Sequence, residues 1–375
     1  MSRFILTLIV LFSCACLVSE AQNNMYSSLV VPKASHNDSE GVFKHMDMSL
    51  NVGSTGLGLE LASPLGRYVN LRTGFDYMPH ISVKTKFSIQ VGEHGNADDF
   101  EKMSGLLSDF TGGEKVKPSV DMIGQPRFNH FKLLVDFMPL KNKNWHLTAG
   151  FYLGSSRVAT AYNTTEDMVS LVGVGIYNNF YDKAVNEEPI FNKWGIELPP
   201  DVNESIKEKG RMGVHLGNYC KDIYYKEGEV YYNRSKPNKE PITVEDAEGN
   251  EIPVINNEYV VQATDKLIKH EKGDAYMIEP NEKRMVTANV KANRLKPYLG
   301  FGYSGALSKN DDRYKISVDC GVLFWGGTPD LITHDGTNLT KDVSNIGGKV
   351  GDYVKLIKAV KAYPAINLRF TRRLF

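Results

Sequence analysis

The chain has 375 residues, with Lys plus Arg and Asp plus Glu at 44 each, so its formal net charge is zero. That balance gives no reason to expect nucleic-acid binding, which needs a basic footprint, and the length suits one large or two ordinary domains. Beyond the N-terminus no run approaches the roughly 18 apolar residues of a spanning helix; a chain of this kind that enters a membrane does so as strands, whose signal averages out because their faces alternate.

The N-terminus reads MSRFILTLIVLFSCACLVSEAQ. Arg3 supplies a charged start, Phe4 to Val18 an apolar centre, and Ser19-Glu20-Ala21 a small-x-small cleavage site. Residues 1–21 are therefore expected to be a cleaved signal peptide. The alternatives are an anchor helix, for which the run is short, and a lipoprotein, for which neither Cys14 nor Cys16 is well framed. The mature chain, 22–375, keeps Cys220 and Cys320, too few for a disulfide framework.

Period-two alternation follows. The apolar sets are Met46, Met48, Leu50, Val52; then Leu57, Leu59, Leu61; then Val69, Leu71, Phe75, Tyr77. Further along, HFKLLVDF offers Phe131 to Phe137 at odd positions, and WHLTAGFYLG offers Trp145 to Leu153. KPYLGFGY, YKISVDCGVLF and the final INLRF continue the pattern with Leu299, Phe301, Val318, Cys320, Leu368 and Phe370. Alternation argues for strands with two unlike faces. The polar face carries Glu60, Arg72, Asp76, Lys132, Asp136, Lys315, Asp319 and Arg369 among glycines. Glycines weaken a soluble sheet, but a narrow barrel lumen accommodates them beside paired charges while the apolar face meets lipid. The expected site is thus a lumen charge network of Glu60, Arg72, Lys132, Asp136, Asp319 and Arg369. A soluble antiparallel β-protein is the competing reading of the same alternation.

Connections alternate between short (63–67, 140–144, 308–313) and long (80–128, 159–284, 326–363). That is the pattern of short periplasmic turns and long outer loops. With the apolar phase flipping at Ser54-Thr55, the count is eight strands. A second flip near Asn293-Arg294 reads as a bulge in one strand, 285–306. If it were instead a hairpin, MGVHLG (212–217) would make ten.

The long loops hold helical patterns. Phe100, Met103, Leu106, Leu107 and Phe110 recur at helical spacing, with Asp98 as cap and Gly112 after the end. EDMVSLVGVGIYNNFYDK reads as a second helix, and GDYVKLIKAVKAYP as a third with Tyr353, Leu356, Ile357 and Val360 on one face. Residues 226–285 are polar and rich in turn signals such as Glu248-Gly249-Asn250.

Chemistry-bearing residues are sparse. His334-Asp335 sits among turn signals without a second ligand. His146 and Ser155 or Ser156 could suggest a lipid hydrolase, but His146 is on the lumen face and about 30 Å from Ser155 along a strand. Cys320 falls on the lipid face and Cys220 in a loop, which disfavours a disulfide between them. The tyrosine-rich YYKEGEVYYNR offers a surface for a glycan or protein. No cofactor and no metal are implied.

With these strands in hand, the chain resembles outer-membrane β-barrel proteins of Gram-negative bacteria, nearest in type to the small eight-stranded OmpA transmembrane domain. GLGLELASPLGRYVNLRTGF, KPYLGFGY and the terminal Phe375 carry the likeness, over most of 45–158 and 285–375. Members end in an aromatic residue that the barrel-insertion machinery recognises, so the resemblance implies that role for Phe375. It also implies that machinery and outer-membrane lipid as partners. Arg373 departs from the pattern, standing where an apolar residue is expected.

The expectation is therefore an all-β, transmembrane antiparallel up-and-down barrel in the cell outer membrane, with helices in its long extracellular loops. It is expected to be non-enzymatic, its outer loops binding an extracellular protein or glycan. The alternatives are a narrow small-solute channel and, behind it, a lipid-modifying enzyme.

Overall fold

A computed structural model describes residues 45–92, 97–108, 113, 116–141, 143–186, 188–192, 194–232, 242–254, 258–308 and 311–375. The expected signal peptide, Phe110 and Gly112 lie outside those residues.

In chain order the principal strands begin with β1 (Asp47–Gly53), β2 (Gly56–Gly66), β3 (Val69–Tyr77) and β4 (Val83–Ser88). Next come β5 (Ser119–Pro126), β6 (His130–Phe137), β7 (Trp145–Gly154), β8 (Arg157–Asn163) and β9 (Met212–Tyr219). The last are β10 (Ala275–Ile278), β11 (Thr287–Lys291), β12 (Leu295–Ser308), β13 (Asp311–Phe324), β14 (Asp330–Thr333) and β15 (Ala362–Arg373). The α-helices among the described residues are α1 (Ala97–Ser108), α2 (Met168–Val185), α3 (Pro200–Lys209) and α4 (Gly348–Ala359).

Eight strands close into an antiparallel barrel in the order β1-β2-β3-β6-β7-β12-β13-β15. Closure is made by the first strand against the last, from Asp47 opposite Arg373 to Gly53 opposite Asn367. The ladder runs to the chain end, where the Leu374 N–H donates to the Met46 carbonyl at 2.8 Å. A closed ladder leaves no edge, so every strand's backbone is satisfied within the wall. Both chain ends of the barrel lie at the end that carries the short turns, here the lower end. The tight turn at Ser54-Thr55 and the three long connections lie at the other. The eight-stranded reading holds, and the ten-stranded alternative falls: MGVHLG is a strand, β9, but it belongs to a different sheet.

One expectation is corrected. Residues 285–306 are not a single bulged strand. They are β11 and β12, separated by 292–294 and placed in two sheets. The break is the local form of a general feature. A second, five-stranded sheet has the order β14-β11-β8-β5-β4. Its members join the barrel strands β13, β12, β7, β6 and β3 respectively through breaks of a few residues. Five neighbouring barrel strands therefore continue upward as an open wall, whereas β15, β1 and β2 stop at the rim.

The long connections fold onto this upper wall. Helices α1 to α3, β9, β10 and α4 share one apolar core with it, including Leu107, Leu171, Val174, Ile206, Met212 and Ile278. Arg211 ties the region together through Glu279, at 2.5 and 2.8 Å, and Asp182, at 2.6 Å. Asp98 falls inside the first turn of α1 and not at its cap. In α4 the expected face is corrected in part: Ile357 does pack on the core, but Tyr353 and Leu356 are exposed, and Val354 is buried with Val350 beside it. Residues 223–232, 242–254 and 258–270 form short antiparallel pairs, one of them turning at Glu248-Gly249-Asn250, where Asp246 Oδ1 accepts the Glu248 and Asn250 N–H groups.

Candidate functional site

The barrel interior is built by period two. On β3, Arg72 and Asp76 point inward between the outward Leu71, Phe75 and Tyr77; on β6, Lys132 and Asp136 alternate with Phe131, Leu133 and Val135. Outside, Leu50, Leu59, Leu299, Val318 and Leu368 are exposed. A polar interior under an apolar exterior is the arrangement of a membrane barrel.

The structure brings all six sequence-derived lumen residues together. Arg72, only 2% exposed, contacts carboxylates from three other strands: Glu60 at 3.3 Å, Asp136 at 3.3 Å and Asp319 at 3.2 Å. Lys132 Nζ donates to Glu60 at 2.5 Å and to Asp76 at 2.7 Å. Arg369 Nε stands 3.2 Å from Asp319. Asp76 and His146 belong to the same cluster although the sequence-derived set left them out. Asp76 also accepts from Asn51 and Thr55, at 3.1 and 3.0 Å, and His146 Nε2 lies 2.6 Å from Asp319. Their signal was present in the inward parity. Lys315, on the polar face by parity, is half-exposed nearer the lower end. The glycines serve the packing: a Cβ at Gly302 would collide with Asp319 and His146, and one at Gly321 with the Tyr298 ring.

Above the charges the interior changes character. Tyr298 and Tyr152 pack at 5.5 Å between ring centres, and His130 sits 6.3 Å from Tyr152 and 5.1 Å from Phe128. At the rim Phe128, Trp325 and Tyr363 form a triangle with centroid separations of 4.8 to 5.8 Å. The Tyr363 hydroxyl donates to the Ser54 carbonyl at 2.7 Å and fixes this layer to the short side of the barrel.

Beyond the rim the polarity of the wall inverts. The face that continues the lumen carries Phe87, Val120, Met122, Ala288, Val290 and Leu331. The outer face carries Lys84, Lys86, Asp121, Asn289 and Lys291, with Ile123 and Tyr162 among them. In β5–β6, β11–β12 and β13–β14 the inward positions keep one parity through the break, so it is the residue type that changes and not the facing. Between this face, α2, α4 and β9 lies a cavity of about 390 Å³. Its walls are almost wholly aliphatic, with Thr85, Gln125, Thr160, Thr333 and Tyr353 as the polar members. At its solvent-exposed edge the Thr85 and Tyr353 hydroxyls are 3.1 Å apart and bridge β4 to α4.

Other candidates resolve into structure. The Asp335 carboxylate accepts from the Tyr276 hydroxyl at 2.8 Å, Thr333 at 2.6 Å and the Thr337 N–H at 3.0 Å, which makes it the centre of a turn. Burial alone would raise the Asp335 carboxyl, but these donors outweigh it and hold the group below its ordinary value. Ser155 Oγ accepts from the Arg157 N–H at 3.1 Å and makes no contact with His146. Cys220 and Cys320 are not disulfide-bonded. Among the described residues no cluster of three or more His, Cys, Asp or Glu is arranged to hold a metal ion. No helix among them is long and apolar enough to cross a membrane. Phe375 is exposed just past the end of β15.

The fold thus defines a small, closed, up-and-down β-barrel of the membrane type with a folded cap. No family model matches the chain, and no curated protein matches it. Among solved structures it is similar to CarO2 of Acinetobacter baumannii, at 14% identity over 89% of this chain and 100% of that one, with a TM-score of 0.35. It is also similar to CarO of the same organism, at 12% over 89% and 99%, TM-score 0.34. The P. putida toluene transporter TodX gives 10% over 88% and 70%, TM-score 0.19. Superpositions this loose assign no family; the barrel stands on its own strand register.

Proposed function

We propose that this chain is an integral outer-membrane protein in which a closed barrel anchors an outward-facing binding region. The observation that carries the reading is the filled lumen. Eight strands leave room for little more than side chains, and here Arg72, Lys132 and Arg369 link Glu60, Asp76, Asp136 and Asp319 across that room. Such a network is a plug, and the protein is a non-enzymatic binder whose candidate partners are an extracellular protein or a glycan. The tyrosine-rich segment 224–232 and the hairpins beyond it supply the surface. Phe375, exposed just past the closing strand, serves the barrel-insertion machinery; deleting it should lower the yield of folded barrel while synthesis and export stay unchanged.

The test is conductance across a planar bilayer. Purified wild-type protein should pass no steady ion current. A steady current that Arg72→Ala alters, with stability untouched, would refute the plug and favour the small-solute channel.

A further inference from the structure

We infer that the cavity above the rim is a binding site for a free, uncharged small molecule with a hydrocarbon body and at most a hydroxyl-type polar group. This goes beyond a surface for proteins or glycans, and rests on the reading that the upper wall faces the outside medium.

The chemistry of the walls selects the ligand. The cavity, at about 390 Å³, is in the size range of small-molecule sites, roughly 300–1,000 Å³. Among the described residues no charged side chain lines it, so a carboxylate or ammonium entering it would lose hydration without a partner. Aliphatic walls formed by Leu171, Val174, Leu331 and Ile357 offer dispersion and burial alone. The hydroxyls of Thr85 and Tyr353 stand at the exposed edge and can take one polar group of the ligand there. A glycan, with hydroxyls all round, would leave most of them unpaired against such walls.

The position is as informative as the lining. The cavity occupies the interior-facing side of the upper wall. The Phe128–Trp325–Tyr363 layer lies at the rim, and beyond it Arg72 and Lys132 lie in the polar interior of the barrel. The site therefore receives its ligand from the outside and holds it above the plug. Elsewhere the core over this wall buries its side chains almost completely, Leu107, Ile206 and Met212 among them, as interiors packed to the density of organic crystals do. An apolar space of this size within such a core is a formed site.

The experiment uses the full protein held in amphipol, with N-phenyl-1-naphthylamine, an uncharged aromatic amine that brightens in apolar surroundings, as the probe. Saturable binding of one probe per chain, above protein-free amphipol, is expected. 1-Decanol should displace it, decanoate at pH 8 should be at least about tenfold weaker, and maltotriose should not compete. A side chain at position 124 has room, since an added Cβ there meets only the Val83 carbonyl, at 3.7 Å. Gly124→Phe should therefore fill the space and weaken the probe by about tenfold or more, with the heat-dependent gel shift of the barrel unchanged. Ala288→Phe gives a second filling from another strand. Probe binding equal in wild type and in a folded filled variant would overturn the proposal. So would an absence of saturable binding, or a stoichiometric membrane lipid in the washed protein that 1-decanol fails to displace. Conductance of the same preparation separates the readings: a protein that binds the probe and also conducts keeps the site and loses the plug.

Discussion

The lower and upper halves of the same wall solve opposite problems. Below the rim, Leu59, Leu299 and Val318 face out while Glu60, Arg72 and Asp319 face in. Above it, Lys84 and Lys86 face out while Val120, Ala288 and Leu331 face in. Each half puts its apolar side where water is absent, lipid outside in one and protein core inside in the other. The level at which the pattern inverts, around 78–82, 127–129, 155–156, 292–294 and 325–329, is where the proposed membrane anchor has its upper boundary. Strand pairing alone would not reveal it, because a ladder carries no information about solvent. Side-chain polarity read against facing does.

The largest effect should come from breaking the lower half at its centre. Arg72→Ala leaves Glu60, Asp136 and Asp319 buried with one cation fewer, and removal of one partner from a buried charge cluster costs about 3–5 kcal/mol. Urea unfolding of the refolded barrel should show that loss, whereas Leu71→Val on the lipid face should change little. Equal stability of Arg72→Ala and wild type would count against a structural network.

A charge placed on the outer face should distinguish the halves next. Leu299→Arg puts a cation in lipid, at about 2–4 kcal/mol if it lies near the midplane. The reverse change above the rim, Lys86→Leu, meets water and should stay within about 0.5 kcal/mol. If both substitutions cost the same, the inversion does not mark a membrane boundary.

A smaller effect tests the upper half alone. Tyr276→Phe removes one donor from Asp335 and should cost about 1–3 kcal/mol at neutral pH. The folded Asp335 carboxyl titrates below its ordinary value, so its stabilisation is present above about pH 4, the unfolded value, and is lost as pH falls through the folded one. The gap between wild type and Tyr276→Phe, followed by near-UV circular dichroism in urea, should therefore narrow from pH 7 to pH 3. A gap that does not narrow would remove the carboxylate from the explanation.

The strands of the lower half were legible in the sequence, whereas of the upper half only three helices were, for a physical reason. A lipid-facing strand must alternate over its whole length, so residues such as Leu57, Leu59 and Leu61, or Phe131 to Phe137, announce themselves. Inward parity even located the charges; His146 and Asp76 were placed on the inward face but left out of the network because a sequence does not say which inward residues share a level. Above the rim the strands are short and interrupted, and both faces meet protein or water in patches. The break at 292–294 thus looked like a bulge. The apolar stripe of α4 was placed on Tyr353, Leu356, Ile357 and Val360; Ile357 does meet the core, but the helix buries Val354 and exposes Tyr353 and Leu356 because its orientation is set by the wall it covers. The cavity depends on residues from 83 to 357 meeting in space, which no local pattern encodes.

The central claim, that the lower outer face lies in lipid and the upper region in water, is tested most directly by Cys220 and Cys320. Cys320 is on the outward face of β13 among Val318 and Val322, and Cys220 is exposed just after β9. In wild-type protein reconstituted into liposomes, a membrane-impermeant maleimide should modify Cys220 and spare Cys320 until the barrel is unfolded. Modification of Cys320 as fast as Cys220 in the folded protein would contradict the account.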